Sequence, residues 1–184
     1  VKVFDDLEEF LCGRYTDWDG KEQFKELSRR FEGWVNELCW PMEKIKEEVA
    51  KSYSRTFDES YGQMLVKGPI DVWTLCPHHF LPCNFSVHIG YISTGKVLGL
   101  SKLSRISEVM GKRPIMQETY TRELAEGLME NLQPLGVGVF VVGWHGCIVI
   151  RGVKQTARVV TSELKGVFLD EPGVKQEFYR LARQ

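Results

Sequence analysis

The chain has 184 residues, 43% of them hydrophobic and 27% charged, which is the make-up of an ordinary globular domain with a sizeable core. Lysine plus arginine (24) nearly balances aspartate plus glutamate (25), leaving a formal net charge of −1 and no bulk attraction for nucleic acid or a membrane surface. The longest apolar stretch, Val137 to Ile150, is too short to span a bilayer and is broken by Gly138, Gly143, His145 and Gly146. The first residues show no basic-then-apolar secretion signal.

Residues 3–60 read as helical. Phe24, Leu27, Phe31, Trp34, Val35 and Leu38 recur at spacings of three and four, and a further helix runs past Pro41 through Ile45, Val49 and Tyr53. Gly68-Pro69 punctuates, and Ile70 to Leu75 predicts a strand. Phe85, Val87, Ile89 and Tyr91 alternate with Ser86, His88 and Gly90, the pattern of a half-buried strand, followed by a short run from Lys96 to Leu100. His88 on that strand reads as structural. Ser101 is placed as the N-cap of a helix through Arg113, and a second helix covers about Met116 to Leu132. Val137 to Val153 and Ala157 to Ser162 predict two strands, and Val174 to Arg183 a last helix. The core order is β-β-α-α-β-β behind an N-terminal helical arm. On the strand reading, His145, Cys147, Val149 and Arg151 share one face.

The histidines and cysteines carry the chemistry. Cys76-Pro77-His78-His79 supplies a Cys-x-x-His pair, and His145-Gly146-Cys147 a second cysteine much later. Cys76, His79 and Cys147 can supply three zinc ligands and leave a fourth position open, the pattern of a catalytic rather than a structural zinc. Five cysteines, two of them beside histidines, suit a reducing compartment better than a disulfide framework. Cys12, Cys39 and Cys83 read as small buried hydrophobes.

These segments resemble the GTP cyclohydrolase I family over roughly residues 63–183. The turn Cys76-Pro77-His78-His79 with Phe80-Leu81-Pro82, the strand Val87 to Tyr91, the segment Gly99 to Arg105, the pair Gln117-Glu118, His145-Gly146-Cys147 with Arg151-Gly152-Val153, and Val160-Thr161-Ser162 follow the family's motifs in the same order. One departure falls in the metal turn, where the family's glutamate is Pro77 and both carboxylate and backbone N–H are missing. The first 60 residues match poorly.

The resemblance implies an α+β tunnelling fold: an antiparallel sheet with two helices, preceded by N-terminal helices, in one domain whose catalytic core is 63–184 and whose divergent helical region is 1–62. It implies sheets closed into rings, two pentamers stacked into a homodecamer, and sites shared between subunits. It implies zinc on Cys76, His79 and Cys147, and His78 and His145 as proton carriers. Glu118 would hold the guanine edge with a contact from Gln117, and Ser101, Lys102, Arg105 and Arg151 would hold the triphosphate. The implied reaction is cytoplasmic hydrolysis of GTP to 7,8-dihydroneopterin triphosphate and formate, the first step of pterin- and folate-type biosynthesis. Two alternatives stay open: a sister enzyme stopping at a partial-hydrolysis product, and a degenerate nucleotide-binding protein without catalysis.

Overall fold

A computed structural model describes residues 2–59 and 61–184. It divides into two units, Val1–Trp40 and Pro41–Gln184. The first contains α1 (Lys2–Arg14), a 3-10 helix (Asp19–Phe24) and α2 (Leu27–Leu38). Tyr15, Trp18 and Phe24 cluster their rings, and Phe31 stacks near Trp34 with centroids 5.0 Å apart. Cys12 and Cys39 are half-buried rather than buried.

The second unit opens with α3 (Met42–Tyr53), started by Pro41, which has no N–H to lose at a helix entry. The expected helical stretch does not continue beyond it: Thr56–Asp58 form β1, and Ser60 lies outside the described residues. The remaining elements are β2 (Met64–Leu75), β3 (Pro82–Ile92), β4 (Lys96–Leu98), α4 (Leu100–Met110), α5 (Gln117–Leu132), β5 (Gly136–His145), α6 (Gly146–Val149), β6 (Val159–Gly166), α7 (Val167–Asp170) and α8 (Pro172–Leu181). β1 pairs with β4, and the main sheet has the order β2-β3-β5-β6 with every pair antiparallel. The expected β-β-α-α-β-β core is therefore present, in an α+β fold.

Alternation explains the layering. Phe85, Val87, Ile89 and Tyr91 of β3 and Val137, Val139 and Val141 of β5 all point to one face. There they pack with Leu103 and Ile106 of α4 and with Tyr120, Leu124 and Leu128 of α5. The other face carries a smaller cluster, where Phe168 and Phe178 from α7 and α8 pack near Met64, Val66 and Phe140. His88 lies half-buried on that face with its ring 5.8 Å from Phe140, and burial holds its pKa below the ordinary value.

Four further expectations need correction. Ser101 is not a cap: Gly99 holds the cap position, with its carbonyl taking the Lys102 N–H at 2.7 Å, and Ser101 is exposed in the first turn. That helix ends at Met110, because Gly111 to Arg113 tighten into short turns before Pro114. β5 stops at His145 instead of running to Val153. Its partner β3 has no residue beyond Cys83 and Pro82 to offer, so the backbone satisfies itself in a helical turn with Ile150 N–H on the Gly146 carbonyl at 3.0 Å. Cys147 and Arg151 therefore do not alternate along a strand wall with His145. They lie about one helical turn from each other. β6 likewise begins at Val159, two residues later than expected, and runs to Gly166.

Candidate metal centre and adjoining pocket

Three chain segments converge at the end of the main sheet. The first is the turn after β2. Cys76 N–H bonds the Leu81 carbonyl at 2.8 Å, and Phe80 N–H bonds the Cys76 carbonyl at 2.9 Å. Phe80 adopts φ 55°, left-handed geometry that a bulky residue rarely takes, and this reverses the chain into β3. The tight turn puts His79 Nδ1 3.7 Å and His78 Nδ1 3.9 Å from Cys76 Sγ.

The second segment is the start of α5. Thr74 donates to the Arg113 carbonyl at 2.7 Å, and Ile115 N–H to the Leu75 carbonyl at 3.1 Å. These bonds tie the α4–α5 connection to the end of β2 and set Gln117 and Glu118 beside the cysteine turn. The third segment is the end of β5, where His145 pairs with Cys83 and α6 carries Cys147.

Cys76, His79 and Cys147 bring one ligand atom each to within 4.8 Å of one another. Two atoms held by one tetrahedral zinc at ~2.3 Å (sulfur) and ~2.05 Å (nitrogen) stand roughly 3.6 Å apart, so the 3.7 Å Cys76–His79 separation already fits. Burial, and then the neighbouring Cys76 thiol, push the Cys147 thiol up, while Arg151 pulls it down. Two thiols crowded in this way favour a cation between them. The donor set therefore fits zinc.

Beside these ligands lies a pocket of about 190 Å³ lined by Pro77, His78, Gln117, Glu118 and His145, with the two cysteine ligands at its wall. Glu118 is exposed in the first turn of α5, with its carboxylate open to the pocket. Gln117 is buried, 2% exposed, and fully engaged. Its amide nitrogen faces the Val141 carbonyl (3.2 Å), the Val159 carbonyl (3.1 Å) and Thr161 Oγ1 (3.1 Å), and its oxygen faces His145 Nε2 at 2.8 Å. A side chain at Gly143 would strike that oxygen. Burial holds His145 below its usual pKa, and the Glu118 carboxylate partly offsets this.

Not every expected site residue reaches this pocket. Arg151 stands close enough to Cys147 for its charge to act on the thiol. Ser101, Lys102 and Arg105 do not line the pocket. They begin α4 beside Lys67, whose Nζ donates to the Leu100 carbonyl at 2.7 Å. From there to Leu75 is most of β2, roughly 25 Å of strand at about 3.3 Å per residue. One residue gained importance. Cys83, read as a buried hydrophobe, is indeed buried, but its sulfur is 3.5 Å from His145 Nδ1. Burial, and the nearby Cys147 and Cys76, push this thiol up to about 12. No spacing in the sequence marks that contact, which depends on the β3–β5 register.

The GTP cyclohydrolase I family profile matches residues 11–183, reaching into the N-terminal helices. GTP cyclohydrolase 1 of Rattus norvegicus is 44% identical over 128 residues, covering 69% of this chain and 53% of the rat protein. The Homo sapiens protein of that name is 44% identical over 154 residues, covering 78% of this chain and 62% of its own length. That of Clostridium perfringens is 40% identical over 129 residues, covering 70% of each. The chain thus spans little more than half the length of the first two of these relatives. With nearly its whole length matched by one family profile, the chain belongs to the GTP cyclohydrolase I family.

Proposed function

We propose that this chain hydrolyses GTP to 7,8-dihydroneopterin triphosphate and formate, using a zinc ion held by Cys76, His79 and Cys147. The observation that carries this reading is the convergence of those three ligand atoms within 4.8 Å beside a pocket that also presents two histidines and a carboxylate. When bound, zinc supplies Lewis-acid chemistry, lowering the pKa of a water toward ~7.

The chain's own residues do the rest. Glu118 can accept from the guanine N1–H and exocyclic amine together, a bidentate pattern that adenine cannot offer. Gln117 contributes by fixing the wall of the base pocket. His145 and His78 move protons near neutral pH as the five-membered ring opens and C8 leaves as formate. Lys102, Arg105, Arg151 and Ser101 hold the triphosphate. Because the first, second and fourth of these begin a helix far from the pocket in one chain, we assign them to the pocket of a neighbouring subunit. That arrangement fits a homodecamer of two pentameric rings, whose closure would also cover the exposed edges of β2 and β6. Residues 63–184 are then the catalytic core. Five thiols without a disulfide suit a cytoplasmic setting, and among the described residues no helix is long and apolar enough to cross a membrane.

A second reading rests on Pro77. It lines the pocket where the family motif has a glutamate, so a proton-accepting group is missing there. The reaction would then stop at a formylated or cyclic-phosphate product. Mass spectrometry of the products formed by zinc-loaded protein from GTP separates the two. Dihydroneopterin triphosphate supports the first reading, a formylated product retaining C8 or a pterin cyclic phosphate supports the second, and unchanged GTP refutes both.

A further inference from the structure

His145 has a protein partner on each ring nitrogen, and the partners dictate which nitrogen carries the proton. Gln117 is the first of them. Its amide nitrogen is surrounded by acceptors, the Val141 and Val159 carbonyls and Thr161 Oγ1. The hydroxyl ring supports this assignment: Thr121 donates to the Gln117 carbonyl at 2.7 Å, Thr161 donates to Thr121 at 2.7 Å, and Thr161 is left to accept from the amide. Flipping the amide would set its oxygen against two carbonyl oxygens. The oxygen must therefore face His145 Nε2, and that nitrogen must be the N–H donor of the neutral ring.

Nδ1 is then the acceptor. Cys83 stands directly opposite His145 in the β3–β5 ladder, with its sulfur 3.5 Å from Nδ1, a good S–H···N separation. The other acceptor in reach of the thiol, the Leu81 carbonyl, is farther away at 3.9 Å and already takes the Cys76 N–H at 2.8 Å, which leaves the ring nitrogen as the nearer partner for the thiol hydrogen. A side chain at Gly146 would come within 2.8 Å of the Pro82 carbonyl, so glycine is what lets α6 begin this close to β3.

We propose that Cys83 is a positioning residue for His145: its S–H donates to Nδ1 while Gln117 accepts from Nε2–H, so that the ring is held in one orientation and one tautomer at the pocket wall. Cys83 is not a zinc ligand in this arrangement. It acts through His145, and any effect on turnover rests on the reaction proposed above.

The test uses the full-length, zinc-loaded protein with 15N-labelled histidine, the His145 signals being identified by their loss in His145→Gln. In the unsubstituted protein at neutral to mildly alkaline pH, two-bond 1H–15N correlations should give Nε2 as the protonated nitrogen and Nδ1 as a hydrogen-bonded acceptor. In Cys83→Ala, the Nδ1 resonance should move toward that of an unbonded ring nitrogen, and Cys83→Ser should move it back. Zinc content should stay at one per chain in both. With GTP, Cys83→Ala should lower kcat by roughly tenfold, the loss of about one neutral hydrogen bond, with KM nearly unchanged, and serine should recover much of it. A protonated Nδ1 in the unsubstituted protein overturns the proposal. So do identical His145 spectra with and without the thiol, or zinc loss in Cys83→Ala. If the unsubstituted protein does not consume GTP, the proposed activity fails, but the spectra still decide the role of Cys83.

Discussion

Gly90 and Gly138 face each other across the β3–β5 ladder, and the missing side chains on both admit the C-terminal aromatic pair. A Cβ on Gly90 would stand 2.6 Å from Phe178, and one on Gly138 would stand 2.7 Å from Phe168 and 2.8 Å from Phe178. The two rings pack edge to face with centroids 5.4 Å apart, closing the sheet's second face. Gly138→Ala should therefore overpack this seat and destabilise the fold by about 1–3 kcal/mol, read as a lower denaturation midpoint. The proposed metal ligands, Cys76, His79 and Cys147, lie at the other end of the sheet, so zinc content at low temperature should not change. An unaltered midpoint would mean that α8 is not anchored through these glycines.

The proposed metal site draws on three side chains from two segments. Cys147→Ala should lose zinc and turnover together, because two remaining ligands cannot complete the set. Elemental analysis reads the metal directly, and full zinc content in that variant would remove Cys147 from the ligand set.

His78 lines the pocket but stands outside the three-ligand group, and His145 is bound to Gln117 and Cys83. His78→Ala and His145→Ala should each keep zinc and fold while losing turnover by ~10²–10⁴-fold, the usual loss for a positioned acid or base. Single-turnover kinetics on zinc-replete variants checks this. Near-normal rates in either would reduce that histidine to a structural role.

Glu118 should select the base. Its replacement by glutamine removes one acceptor from the guanine edge and leaves an N–H unmatched, a penalty of about 1–3 kcal/mol. Comparing GTP with ATP binding in Glu118→Gln and in the unsubstituted protein reads this as lost discrimination. Equal discrimination in both would place base recognition elsewhere.

Much of the core was legible because its periods are clean. The alternation from Phe85 to Tyr91 marks an inner face, and the Leu124, Ala125, Leu128 spacing marks a helix facing it. The convergence of Cys76, His79 and Cys147 was legible because Cys-x-x-His in a tight turn brings its two donors together locally, and only Cys147 had to arrive from afar. What escaped depends on neighbours. Ile148, Val149 and Ile150 continue an apolar run that reads as strand, but β5 loses its partner at Cys83, and the chain coils. Thr56–Asp58 look like the end of a helix until β4 pairs with them. Cys83 is an unremarkable thiol in sequence and meets His145 only through cross-strand register. Gln117 and Glu118 are adjacent in the chain, yet one is buried in a hydrogen-bond cage and the other opens to the pocket, a division set by which face of α5 meets β5.

The most direct measurement is the stoichiometry of products from zinc-loaded protein and GTP. After a fixed interval, formate is quantified enzymatically, the oxidised pterin by fluorescence, and the remaining GTP by chromatography. The account predicts one formate and one pterin for each GTP consumed, with both signals absent in Cys147→Ala. GTP consumed without formate, or formate and pterin formed at the full rate by Cys147→Ala, would contradict it.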